Sequence, residues 1–362
     1  MEMIRQKVFL GTSGCSLCEQ IASIPRCFSL ALFLKIGKRN SQVRHFLSAA
    51  LATILLIPAL RAFASDDIVL APEKVTPHVY YFHGEAGMAS AANKGYMSNA
   101  GFVVTNDGVI VFDALGTPAL GKAMLTAIEK ITAKPIKRVI VSHYHADHYY
   151  GLQAFKARGV EIWGHENGRD ELRSDEAQQR LAQRKVALAP WVNENTRLIP
   201  ADRWLHFDQS RVIPFASGGM HFRIIDVSGA HSSSDIMLYV EEEKVLFAGD
   251  LYATGRLPFV GDADSRTWLA ALDRMRDLHP AIAIPGHGTA SGNTEQDMQL
   301  TRDYLLFLRK TMGAAVADMV DFDQAYKAVD WTPFKNYPAF DQGNRINAYG
   351  TYLRMEQESL HE

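Results

Sequence analysis

The sequence predicts an α/β fold with a cluster of polar donors at the carboxyl ends of its strands. Two observations carry this. Short β-branched runs such as Arg138-Val139-Ile140-Val141 alternate with stretches of helical spacing such as Pro118–Ile131, where Leu120, Met124, Ile128 and Ile131 share a side. The run Val141-Ser142-His143-Tyr144-His145-Ala146-Asp147-His148 then places four ligand-type residues within six positions directly after a strand, where open α/β sheets carry their sites. Residues two apart on an extended chain face the same way, so His143 and His145 can hold one cation together. Asp147 and His148 lie where the chain turns into a helix that begins near Gly151, and they face a second position. Imidazole and carboxylate donors of this kind suit zinc first, with iron and manganese as competitors.

The chain before residue 65 reads as something other than fold. Lys38-Arg39-Asn40-Ser41-Gln42-Val43-Arg44 is a basic n-region, Phe46–Leu60 an apolar h-region, and Ala62-Phe63-Ala64 before Ser65 a small-residue cleavage signature. A secretory signal peptide is expected, too short for a stable span, and with it a periplasmic or secreted protein. Ahead of it, Val8–Glu19 holds Cys15 and Cys18 in a C-x-x-C pair after a short strand pattern, like the opening of a glutaredoxin-type fold. No room remains there for the rest of such a domain, which points to an upstream start codon or a fusion remnant. All three cysteines, the third being Cys27, precede the cut, so the mature chain has neither a disulfide nor a thiol ligand. Residues 65–362 carry 30 Lys or Arg against 38 Asp or Glu, a net charge of −8, which argues against nucleic acid as a partner. Their length suits one extended α/β domain.

In the mature part, His78–Phe82 and Ala100–Val104 read as strands, and Asn106-Asp107-Gly108 as a hairpin turn leading into Val109–Asp113. Between the first two strands, Gly84–Tyr96 is rich in Gly, Ala, Ser and Asn and reads as a mobile loop. The helix Pro118–Ile131 then delivers the chain to the ligand strand in a βαβ crossover. Val160–His165 is another strand; His165 is assigned to packing around the site and not to the ligand set. Asn167–Leu188 has helical spacing and charges of alternating sign, a solvated face. Trp191 and Trp204 are core or loop aromatics, or an apolar substrate wall. Further strands are expected at Met220–Val227, Asp235–Val240, Lys244–Phe247 and Ala281–Ile284, with a helix over Ser265–Leu278. Beyond them, Thr301–Met312 and Asn344–Glu356 read as packing helices, with Met312, Met319 and Met355 as gap-fillers.

Three of these later strands also end in a His or Asp beside a glycine: Gly229-Ala230-His231, Gly249-Asp250 and Gly286-His287-Gly288. The series H-x-H-x-D-H, His, Gly-Asp, Gly-His-Gly resembles that of the metallo-β-lactamase-fold hydrolases over roughly residues 76 to 290. The resemblance implies a four-layer αββα sandwich over residues 65–290, with added C-terminal helices at 291–362 and a loop over the metals at 84–96. It implies His143, His145 and His231 at a first zinc, Asp147, His148 and His287 at a second, and Asp250 bridging both. A hydroxide held between the two ions attacks a carbonyl, and Asp147 has a second role in orienting that nucleophile and handling its proton. Asp113 and Asp235 are expected to brace the ligand loops by hydrogen bonds.

Departures from the branches of the family narrow the reaction. The common lactamase subclass carries Cys where this chain has Asp250, and flavin-linked di-iron members carry Glu at the position of His145. What remains resembles glyoxalase-II-like hydrolysis of a thioester, lactone or other ester, with weak β-lactam hydrolysis at most. The export signal and the run from Gly249 through Arg256-Leu257-Pro258 are also similar to periplasmic zinc hydrolases associated with quinoprotein dehydrogenases. Two alternatives stand beside this: a mononuclear iron dioxygenase acting on a persulfide, and a metal-bound accessory protein of a periplasmic oxidoreductase. A small-molecule substrate is expected, with Tyr149, Tyr150, Tyr252 and Arg256 either contacting it or packing behind the ligands.

Overall fold

The computed structural model describes residues 68–261 and 263–360. The signal-peptide reading and Cys15, Cys18 and Cys27 fall outside the described residues. Residues 66–362 form one compact unit, and among the described residues no helix is long and apolar enough to cross a membrane.

Two sheets stack face to face. The first has seven strands in chain order: β1 (Glu73–Lys74), β2 (Val79–Phe82), β3 (Ala100–Val104), β4 (Val109–Phe112), β5 (Ile136–Ile140), β6 (Glu161–His165) and β7 (Arg203–Leu205). The second runs β12 (Ile282–Ile284), β11 (Val245–Phe247), β10 (Ile236–Val240), β9 (Met220–Asp226) and β8 (Val212–Ser217). Strands β2, β3 and β4 pair antiparallel, and β4 pairs parallel with β5 across the helix α1 (Pro118–Ile131), the expected crossover. Thr117 caps that helix, its Oγ1 accepting from the amide of Leu120 at 3.2 Å, and Pro118 occupies the first turn, where a missing N–H costs nothing.

Because side chains alternate along a strand, each buried strand feeds two cores. Val109 and Val111 of β4 face outward onto α1, while Ile110 and Phe112 face the opposite sheet. On β10, Met237 and Tyr239 face outward while Ile236, Leu238 and Val240 face inward. The inner core is thus Ile110, Phe112, Ile140, Phe222, Ile224, Leu238 and their neighbours. Each such buried side chain contributes about 1.5–3 kcal/mol. Helices α1 and α3 (Leu152–Ala157) cover the first sheet. On the second lie α6 (Ser265–Asp277), α7 (Thr294–Ala317) and α9 (Phe340–Ser359), through Trp268, Leu272, Leu308, Met312 and Ala348. This is the four-layer αββα sandwich.

Several expectations shift. The stretch Asn167–Leu188 divides at Ser174 into α4 (Gly168–Arg173) and α5 (Asp175–Ala187), because Ser174 Oγ accepts from the amide of Ala177 and restarts the helix. The edge strand β8 and the short helix α8 (Phe322–Ala328) have no counterpart in the sequence reading. The C-terminal helices are longer than read, and Met319 is 91% exposed and fills no gap. Trp204 lies on β7 against Tyr144. Residues 84–96 form a loop without strands, but it is tied down: Trp191 Nε1 donates to Ala91 O at 2.9 Å and Arg256 Nη1 to Gly87 O at 2.8 Å.

Candidate metal centre

All seven candidate donors lie in the segments that follow strands β5, β9, β11 and β12. His143 and His145 follow β5, and the one-turn helix α2 (Ala146–Tyr149) rotates Asp147 and His148 onto the neighbouring position. His231 follows β9, Asp250 sits in a short 3₁₀ turn after β11, and His287 follows β12. The structure gathers them into two groups, His143, His145, His231 and Asp250 in one and Asp147, His148 and His287 in the other. Within each group one donor atom per residue lies within 4.8 Å of every other. Asp250 reaches both: its Oδ1 is 3.1 Å from His148 Nε2, and its Oδ2 is 3.5 Å from His231 Nε2 and 3.3 Å from His287 Nε2. His231 Nε2 and His145 Nδ1 are 2.9 Å apart, with no proton donor needed between them once a cation holds both lone pairs.

Two ionised carboxylates, Asp147 and Asp250, set the electrostatics of the cluster. Burial holds His143 and His145 well below the ordinary histidine value, reinforced by His148 and His145 around the first and by His231 and Arg180 around the second. Burial also lowers His231. Burial would lower His148 as well, but Asp250, Asp147 and Asp113 outweigh it and raise His148 well above that value. The same balance keeps Asp250 ionised: burial raises it, and His287 and His148 bring it well below the usual carboxylate range. The pocket therefore demands positive charge. Among the described residues His143 Nε2, His148 Nε2 and Asp250 Oδ1, all within the cluster, are buried without a hydrogen-bond partner. Such orphans are costly unless an ion takes them up, so the donor set fits divalent metal.

A bracing layer holds each ligand loop. Asp113 accepts from the Ser142 amide at 2.7 Å and Ser142 Oγ at 2.8 Å, and its Oδ2 is 2.8 Å from His148 Nδ1. Asp235 accepts from the Ser232 amide at 2.6 Å and Ser232 Oγ at 2.7 Å, fixing the turn beside His231. His287 Nδ1 lies 2.7 Å from Met97 O, and Asn99 Nδ2 donates to Pro285 O and Gly288 O on either side of it. Asn99 was invisible in the sequence, where nothing marks it off from the surrounding loop. His165 is set apart, its Nε2 3.4 Å from Asp226 and its ring stacked on Phe207.

The donors open into a cavity of about 440 Å³. Tyr252 and Arg256 line it, whereas Tyr149 and Tyr150 are buried in the core under the first sheet and do not. Its apolar wall is not Trp191 or Trp204 but Met88, Leu257, Pro258, Phe259 and Ile346.

The profile of the Metallo-beta-lactamase superfamily matches residues 93–287. The chain belongs to the metallo-beta-lactamase superfamily. It is similar to Metallo-beta-lactamase IND-1 of Chryseobacterium indologenes, 21% identical over 268 residues that cover 72% of this chain and 98% of the relative. It is also similar to the linear primary-alkylsulfatase of Pseudomonas sp. (strain ATCC 19151), 23% identical over 241 residues that cover 56% of this chain. Those residues are 44% of that alkylsulfatase, so the chain spans less than half of its length. Among solved structures, the stereoselective inverting sec-alkylsulfatase Pisa1 from Pseudomonas sp. superposes with a TM-score of 0.62 at 17% identity, over 80% of this chain and 50% of that one. The metallo-beta-lactamase from Pontibacter korlensis gives 0.52 at 20%, over 66% and 99%. These structural likenesses show the shared fold, and the family match with the curated relatives supports a hydrolase in general terms.

Proposed function

We propose that the chain is a binuclear zinc hydrolase that cleaves an ester-type bond: a thioester, a lactone or another ester, with β-lactams as weak substrates. The observation that carries this reading is Asp250, whose carboxylate lies within 3.5 Å of histidines of both donor groups at one cavity. His143, His145 and His231 would hold one ion, Asp147, His148 and His287 the other, and Asp250 both. Two ions bound there supply a nucleophilic hydroxide near neutral pH and charge stabilisation for a developing oxyanion. The chain's own part is to hold and orient. Asp147, half-buried at the cavity wall, positions the attacking oxygen and takes its proton; Asp113 fixes the His148 imidazole and Asp235 the turn beside His231. The alkylsulfatase relatives add sulfate esters to the substrates to be tried.

A mononuclear persulfide dioxygenase needs only the first donor group, and the presence of the second group favours the hydrolase. An accessory protein without turnover would not need the cavity. Residues 65–290 are proposed as the catalytic domain and 291–362 as its helical extension, exported by the segment before Ser65. The test is elemental analysis of the chain from Ser65, purified without added metal, beside assays on thioester, lactone, cephalosporin and sulfate-ester reporters. Two zincs per chain with ester turnover is expected. One iron per chain, no hydrolysis, and oxygen uptake on a persulfide would replace this reading.

A further inference from the structure

We propose that Arg180 and Arg184 form an anion subsite beside the metal centre, and that the substrate is an amphiphilic oxyanion: an alkyl or acyl chain carrying a carboxylate, sulfate or phosphate near the bond that is cut. This rests on the hydrolase reading above and names its substrate class.

The two arginines stand one turn apart on α5, so their side chains share a face. That face belongs to the cavity that also holds His145, Asp147 and Asp250. Their neighbour Lys185 pairs with Glu194 at 2.7 Å. Among the described residues no carboxylate pairs with Arg180 or Arg184, although both are half-buried. An unpaired guanidinium facing a cavity is free to take a ligand, and its planar fork suits a carboxylate, sulfate or phosphate.

The rest of the cavity asks for the opposite chemistry. Met88 comes from the loop after β2, Leu257, Pro258 and Phe259 from the segment after Asp250, and Ile346 from α9, and all five line it. Met88 is 38% exposed, Phe259 41% and Ile346 53%, an apolar cost the folded chain bears at the mouth of its own site. Along α9 the exposed stripe continues through Tyr349 and Leu353. A volume of about 440 Å³ whose lining joins two arginines from α5 to apolar side chains from three other segments fits a small amphiphile better than a compact polar metabolite.

The test is calorimetric titration of the zinc-loaded full chain with octyl sulfate and octanoate, beside the neutral octanamide and inorganic sulfate. At least one octyl anion is expected to bind ten-fold or more tightly than octanamide and than inorganic sulfate. Arg180→Gln with Arg184→Gln should weaken that anion at least ten-fold and leave octanamide unchanged; Arg180→Lys with Arg184→Lys should retain most of the preference. Which octyl anion binds more tightly identifies the headgroup. Equal anion binding by the wild type and the glutamine variant, or octanamide binding as tight as the anions, would overturn the subsite. If the double glutamine variant does not fold, Arg184→Gln alone and the lysine pair carry the same comparison. Arginine-dependent binding without turnover of any ester would keep the subsite and sink the hydrolase reading. Ester turnover with arginine-independent binding would do the reverse.

Discussion

Asp113 places its Oδ2 2.8 Å from Nδ1 of His148 and, through the same carboxylate, takes the amide and the hydroxyl of Ser142. One buried side chain thus sets both the entry of the ligand loop and the ring orientation of a donor within it. It does so from a backbone at φ +62°, a left-handed conformation that a non-glycine residue adopts at a cost of about 1–3 kcal/mol. Asp113→Ala should leave His148 free to turn and lower zinc affinity about 10–100-fold. Competition with a chromogenic chelator measures this, and unchanged zinc affinity in a folded variant would refute the bracing role.

Asp250 is the only side chain whose oxygens approach donors of both groups among the described residues. Asp250→Ala is expected to reduce occupancy at both positions and slow ester hydrolysis by roughly 10³-fold or more, the several kcal/mol that metal polarisation is worth. Full activity with two zincs retained would remove it from the bridging role.

Gly286 shows why these ligand turns carry glycine. A Cβ there would stand 1.9 Å from Asp250 Oδ1 and 2.8 Å from the backbone of Gly249. Gly286→Ala should therefore displace Asp250, with loss of zinc and of turnover, in a chain whose far-ultraviolet circular dichroism is close to wild type. A fully zinc-loaded and active variant would show that the loop can yield.

The clustering of these His and Asp residues was legible in the sequence because each run of them follows an apolar strand pattern, and three of the runs adjoin a glycine. Asp113 and Asp235 were legible for the same reason, being polar residues at the limits of otherwise apolar strands. Strand β8 was not. Pro214 interrupts its pattern and its residues are only partly buried, both of which an edge strand paired on one side tolerates. The cavity wall was illegible too, since Met88, Phe259 and Ile346 come together only through tertiary packing. Arg180 and Arg184 read as part of a solvated charged face, because alternating signs along a helix say nothing of which side meets a site.

Arg256 anchors the loop after β2 beside His287. Only 4% exposed, it donates from Nη1 to Gly87 O at 2.8 Å, and that same nitrogen lies 3.4 Å from His287 Nδ1. Arg256→Ala should free the loop: amides from Gly84 to Tyr96 should exchange with deuterium faster, and KM should rise more than kcat falls. Unaltered exchange over that segment would show that the loop is held by its other contacts.

Asp226 offers a pH test away from the ligands. Burial raises its carboxyl, but hydrogen bonds from His165, Arg211 and Ser228 prevail and hold it well below the usual range. A depressed carboxyl stabilises the fold fully above the unfolded value near 4, and that contribution drains away as pH falls through the folded value. Arg211 is 42% exposed, so solvent screens part of the effect and the expected cost of Asp226→Asn at pH 7 is about 1–2 kcal/mol. Urea midpoints of the metal-free wild type and variant should lie apart at pH 7 and converge as pH is lowered below about 4. A gap that is constant, or that widens toward acid, would mean that shape and not charge is what Asp226 contributes.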